Sequence, residues 1–222
     1  MKKTRQEQKF EKYREYLNSE TQLLWQYISL YKHLHKKVQD RLDEINIAPA
    51  FFSTVQSALF TCIVLWIHNL FSEESQRGLH DFLNFIESNL STFKLSELKR
   101  RREFSDNHWF LKKITELTKS DISGHRAMLK SIKLLNSIKT RRDKYHAHFD
   151  KKYFFNREKI NKEKPILWKD LDEIKEPMEK IINTYSVAYD GSSFSIQFVN
   201  AYDVDRILDI LHEYREKRKR RT

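Results

Sequence analysis

Ala58-Leu59-Phe60-Thr61-Cys62-Ile63-Val64-Leu65-Trp66-Ile67 is the apolar centre of a longer stretch, Ile45 to Ser72, that contains no Asp, Glu, Lys or Arg. Its length alone would allow a membrane span. Ser53, Thr54, Gln56, Ser57, Thr61, His68 and Asn69 interrupt it, however, and a lipid-facing helix tolerates such residues poorly. The stretch reads instead as the central helix of a soluble bundle, opened at Pro49, where a first helical turn accepts a residue without an N–H.

The neighbouring sequence extends this helical reading. From about 5 to 46, Leu17, Leu23, Leu24, Tyr27, Tyr31, Leu34, Val38, Leu42 and Ile45 recur at spacings of three and four, predicting one or two long helices, the second capped at Asn18-Ser19-Glu20. An amphipathic segment with Leu79, Phe82, Leu83, Phe85 and Ile86 follows, then a basic stretch through Ser96 to Arg102. Trp109 to Leu117 is expected to be helical, Ser120 to Gly124 a loop, and helix resumes near His125. Thr140-Arg141-Arg142-Asp143 carries the Ser/Thr-x-x-acid pattern of a capping box, predicting a helix start or kink. The lysine-rich run from Phe155 to Pro165 reads as an exposed loop. Leu171 to Tyr189 is helical, with a kink or late start at Pro177, and Asp190-Gly191-Ser192-Ser193 is a turn. Ser193 to Val199 alternates with period two, but one strand cannot stand alone, so it is expected to lie extended against the bundle. Asp203 is placed to cap a last helix that turns Val204, Ile207, Leu208, Ile210 and Leu211 inward.

The 222 residues, 39% hydrophobic and 33% charged, with three Gly and three Pro, suit an all-α fold and leave too few turn residues for a sandwich or barrel. One domain over 1–222 is expected, with a basic tail from about 215. The single cysteine, Cys62, excludes a disulfide framework and fits a reducing cytoplasm; no apolar h-region follows the basic N-terminus. The chain lacks a Gly-rich phosphate loop, a Gly-x-Ser-x-Gly elbow, a His-Glu-x-x-His pair and a calcium loop. Cys62 reads as a buried apolar residue, and His33, His35, His68, His80, His108, His125 and His212 as isolated structural or surface histidines.

The net charge of +11 is unevenly placed. Residues 94–113 carry 7 basic and 3 acidic side chains, 139–164 carry 10 and 4, and 215–222 carry 6 and 1, so the remainder is net acidic. Concentrated positive charge favours a polyanion, because neutralising phosphates releases counterions. One constellation adds reactive chemistry to charge: Arg141-Arg142-Asp143-Lys144-Tyr145-His146-Ala147-His148-Phe149-Asp150. An imidazole can move a proton at a ribose 2′-hydroxyl or a leaving 5′-oxygen, and a guanidinium can hold a phosphate and stabilise a phosphorane. Asp143 and Asp150 are placed to orient an imidazole, and the arginines and lysines Arg141, Lys144, Lys151 and Lys152 to attract an RNA backbone. Tyr145, Phe149, Tyr153 and Phe154 would stack bases or pack the core. Neither metal nor cofactor is called for.

These residues resemble the HEPN superfamily, whose signature is an Arg, a polar residue and, within four to six residues, a His: Arg142 to His148 fits as Arg-x5-His. The Ala147-His148-x-Asp150 ending, the long N-terminal helices and the uncharged helix from about 49 are similar to its abortive-infection branch, over most of the chain. The resemblance implies an all-α bundle with a motif helix near 140–150 and a C-terminal helix, a homodimer with two motifs in one cleft, and metal-independent RNA cleavage by a toxin or antiphage effector. Some members have lost activity, so a non-catalytic dimer that binds RNA, a nucleotide or a partner protein is the alternative. The resemblance assigns phosphate binding to Arg142, acid/base work to His148 and the polar position to Asp143. His146 is the second candidate, because on a regular helix it shares a face with Arg142, whereas His148 lies about 240° round. It further implies a cytoplasmic protein with RNA as substrate, an antitoxin or defence-system partner and no membrane. Phe149-Asp150 after His148 sets the chain apart from the branch with a His-x-Tyr tyrosine that its antitoxin modifies.

Overall fold

A computed structural model describes residues 3–147, 150–154, 156–197 and 200–220, with the backbone alone at 145–147, 154 and 157. The described residues are helical and turn structure without a strand, so the all-α expectation holds.

Helix α1, Arg5–Asp40, is a single element about 54 Å long at 1.5 Å per residue. Its start is fixed by a capping box between Thr4 and Glu7. Phe10, Leu17, Thr21, Leu24, Ile28 and Leu34 form one buried stripe along it. That stripe explains why the expected cap at Asn18-Ser19-Glu20 is not used: a break there would lift half the stripe off the core. A short α2, Leu42–Ile45, follows.

Helix α3, Pro49–Phe71, begins with Pro49 as expected and runs antiparallel to α1. Trp66 Nε1 donates to Glu20 at 2.7 Å, Tyr31 meets Phe60 at 5.6 Å, and Gln56 meets His35 at 3.3 Å. It is long and apolar enough to cross a membrane, yet only 22% of its most apolar window is buried. It therefore joins the bundle through one face and leaves an uncharged face uncovered.

The main core gathers α1, α3, α4 (Leu79–Ser88), α6 (Lys119–Ser131), α7 (Leu134–Arg141) and, beyond the short α8 (Lys151–Phe154) and α9 (Arg157–Glu163), α10 (Trp168–Glu173) through Leu171 and α11 (Lys175–Asp190), while α5 (Leu95–Arg102) packs beside α11. Pro177 lies in the first turn of α11, where its missing N–H costs no intrahelical bond. Helix α11 ends at Gly191, whose φ of 75° only glycine adopts freely, and a Cβ there would also sit 3.0 Å from the Phe110 ring. A smaller apolar cluster joins Leu34, Ile45 and Phe52 to Leu208 of the last helix, α12, Asp203–Lys219. Residues 193–197 form no regular element and lie against the bundle, with helix side chains in place of a neighbouring strand. Asn183 accepts from the Phe194 N–H at 2.6 Å, Glu179 from Ile196 at 2.7 Å and Gln22 from Gln197 at 2.8 Å. Phe198 and Val199 lie outside the described residues.

The molecule departs from the expected elements at several points. Residues 120–124 belong to α6, because Thr118 and Asp121 form a capping box and Ile122 and His125 point into the core. Trp109 to Leu117 is a 3-10 turn, Leu111–Lys113, followed by non-helical chain. The lysine-rich run holds α9, anchored by the buried Ile160. On α12 the inward face is Val204, Leu208 and Leu211, while Ile207 and Ile210 are exposed, because 204, 208 and 211 share one face at helical spacing. Tail residues up to Lys219 are helical, and Arg215 pairs with Asp43 at 2.7 Å.

Gly124 sits inside α6 with nothing within 4 Å of where a Cβ would stand. Gly124→Ala is therefore expected to stabilise the protein by about 0.5–1 kcal/mol, read as a higher urea midpoint at unchanged slope; a lower midpoint would contradict the helical assignment of this segment.

Candidate active site

The Arg/His motif leaves α7 through a π turn, Arg142–Ala147. The expected capping box at Thr140 does not form. Helix α7 is already running there, and the Thr140 hydroxyl donates back to the Asn136 carbonyl at 2.9 Å. The irregularity foreseen at this point is a widening of the helix rather than a new start. Single π turns concentrate at functional sites. The chain re-enters helix at α8 with Asp150 as its local acceptor: Asp150 Oδ1 receives the Lys152 N–H at 2.9 Å.

The two neighbouring arginines have opposite fates. Arg141, expected to contact RNA, is 3% exposed. Its Nε donates to the Lys164 carbonyl at 2.8 Å and its Nη2 to Asn161 Oδ1 at 3.0 Å, and the guanidinium lies 5.4 Å from the Phe60 ring centroid. It caps the C-terminal end of α9 and ties it to α3, and as a surface RNA contact it is ruled out by burial. Arg142 is only partly buried, its side chain 25% exposed, with the Nε enclosed 2.8 Å from Asp143 Oδ1 and Nη2 3.4 Å from Glu74 Oε2. Among the described residues Asp143 is paired with Arg142, and Asp150 with the start of α8.

Lys139 binds the same Glu74 at 3.0 Å, and that contact holds the Glu74 carboxyl below the usual range. His68, in the last full turn of α3, completes the cluster. Burial lowers its pKa from the ordinary imidazole value of 6.5, and the Arg142 charge pushes it further down, with Asp143 and Glu74 partly opposing. These effects favour the neutral imidazole at His68. Along the sequence His68 is an isolated histidine, since its approach to Arg142 exists only once α3 packs on α7. The sole trace in the sequence is its polar interruption of an apolar run.

Lys144 and Lys151 are exposed, whereas Lys152 pairs with Glu163 at 2.6 Å, which raises the lysine pKa. Tyr153 is buried and donates to the same Glu163 at 2.8 Å, so it packs the fold rather than stacking a base. The side chain of His146 and the whole of His148 lie outside the described residues, as do Phe149 and the side chains of Tyr145 and Phe154. On the α3 side of Arg141 a cavity of about 680 Å³ opens between α1, α3 and α9. His35 lines it, bonded to Gln56 and 5.1 Å from the Trp168 ring.

A family model described as AbiU2, of the HEPN group, matches residues 7–209. No curated protein matches the chain, and no solved structure does.

Proposed function

This chain belongs to the AbiU2 family of HEPN proteins, an abortive-infection-associated group, and on that premise we propose that it is a metal-independent endoribonuclease, a cytoplasmic toxin or antiphage effector that acts as a homodimer. Arg142 holds the scissile phosphate and stabilises the phosphorane. His148, with His146 as the second candidate, takes the proton of the ribose 2′-hydroxyl and returns it to the leaving 5′-oxygen. The 2′-oxygen bonds to phosphorus as the P–O5′ bond breaks, leaving a 2′,3′-cyclic phosphate and a 5′-hydroxyl. Asp143 is a positioning residue that steers the Arg142 fork, and Lys144, Lys151 and Lys152 lend attraction to the RNA backbone.

The observation that carries this reading is the partly exposed Arg142 on a π turn beside exposed lysines. Its contact to the exposed Glu74 is long, and such surface pairs are weak, so an RNA phosphate can displace it. The uncovered face of α3 supports the dimer. It is uncharged, only partly buried, and runs toward His68 and Arg142, so a second copy covering it would bring two motifs together. An antitoxin or defence partner belongs to the same proposal.

Purified protein mixed with single-stranded RNA in chelator is expected to release fragments ending in 2′,3′-cyclic phosphate. Intact RNA at stoichiometric protein, with and without divalent metal, would replace the enzyme by the non-catalytic binding dimer.

A further inference from the structure

A second basic region lies apart from the motif, in the loop after α5. Helix α5 ends on Glu103, held at φ 53° in the left-handed region, a strained conformation for a residue other than glycine. The loop that follows is anchored from below. Phe110 packs on Gly191 at the end of α11, and Leu111 is 8% exposed. Phe104 and His108 stack with centroids 3.9 Å apart and planes at 5°.

On this rigid base Trp109 is turned outward, 61% exposed, with the Lys113 ammonium 5.1 Å from its ring centroid. Arg102, Lys112 and Lys113 are exposed around it, and the Arg102 guanidinium lies 5.8 Å from the Phe104 ring. Of the nearby acids, Asp106 is paired with Lys99, leaving Glu103 on the rim. The Trp109 ring rests by one edge against His108 at 5.8 Å and Phe110 at 5.7 Å and leaves most of its surface in water, free to take a stacking partner. Lysine is depleted in protein–protein interfaces, whereas an exposed ring interleaved with cations is what single-stranded nucleic acid uses: bases stack on the ring and phosphates sit on the cations.

We propose that the loop from Arg102 to Lys113 is a docking platform for single-stranded RNA, on which one base stacks on Trp109 while Arg102, Lys112 and Lys113 hold the adjoining phosphates. The proposal rests on RNA being the substrate, but not on Arg142 or either motif histidine being catalytic. It gives the protein a hold on the strand separate from the cleavage site.

The test is binding of a labelled single-stranded RNA oligonucleotide of mixed sequence to the full chain carrying Arg142→Ala, with duplex RNA and single-stranded DNA of the same sequence as comparisons. Trp109→Ala is expected to weaken RNA binding about 5- to 140-fold, by loss of one stacked base. Lys112→Ala with Lys113→Ala is expected to lower the slope of log affinity against log salt by about 1.4. Unchanged melting temperatures show that neither variant unfolds the loop, since Phe110 and Leu111 are retained. Single-stranded DNA binding as tightly as RNA would keep the platform and remove its RNA preference. Equal affinity of all variants for RNA, preference for the duplex, or no RNA binding at low salt overturns the proposal. Loss of binding in Trp109→Ala by a protein that never cleaves RNA would leave the platform standing and remove the nuclease. Cleavage that depends on Arg142 and ignores Trp109 in both binding and rate would do the reverse.

Discussion

Replacing Arg142 with alanine is expected to lower RNA cleavage by about 100- to 1000-fold, the loss found when one preorganised donor to a developing oxyanion is removed. The fold should barely notice. The Arg142 contacts to Asp143 and Glu74 are partly exposed ion pairs, worth about 0–1 kcal/mol, so the melting temperature should move by no more than about 4 °C. Arg142→Lys keeps the charge but loses the planar fork that matches a phosphate, and should fall between wild type and alanine. Arg141→Ala gives the contrasting outcome. It removes the donors to Lys164 and Asn161 from a buried position, so stability and soluble yield should drop before activity per folded molecule does. Equal cleavage by Arg142→Ala and wild type would reject the assignment of Arg142.

Glu7→Ala is expected to cost about 3 kcal/mol of stability without touching the motif. Glu7 is 2% exposed and accepts from Arg101 at 3.0 Å, from Arg100 and from the Thr4 N–H at 2.7 Å. Burial alone would raise its pKa, but these donors outweigh it and bring the carboxyl from 4.5 down to about 2. A shift of that size is worth about 3 kcal/mol. Removing one partner of a buried ion pair gives a similar figure, about 3–5 kcal/mol, because Arg101 is left desolvated over the Tyr189 ring. The sign follows from the lowered pKa: the contribution is full above pH 4.5 and fades as the pH falls toward 2. Thermal unfolding should therefore place the variant about 6–12 °C below wild type at pH 7, with the gap closing in acid. A gap that persists unchanged at pH 2 would contradict the ionic origin of the effect.

The long elements were legible because their burial follows period: the stripe of α1, the Pro49 start of α3, and the Gly191 stop of α11 all follow from residue types at fixed spacing. The misassignments share one cause, that a local signal has several tertiary outcomes. The Ser/Thr-x-x-acid pattern occurs at Thr4, Thr118 and Thr140, and forms a capping box at the first two. At Thr140 a helix already occupies the backbone, so the hydroxyl bonds backward. Arg141 and Arg142 are alike as sequence; only the packing of α9 decides that one is buried and the other stays partly exposed. His68 reaches Arg142 through the α3–α7 contact, which no spacing within either helix announces. The chemistry of the motif, a guanidinium and imidazoles within a few residues, was readable directly, because it depends on residue type more than on packing.

The most direct test of the shared site uses two inactive chains. Arg142→Ala and His148→Ala, co-expressed with different tags and isolated as the mixed dimer, leave one complete Arg/His set if each site draws its guanidinium and its imidazole from different subunits. The mixed dimer is then expected to cleave RNA at about half the wild-type rate, one of two symmetric sites being intact, while each homodimer stays inactive. A mixed dimer as inactive as its parents, or a chain that stays monomeric while wild type cleaves, would contradict a site built across two copies.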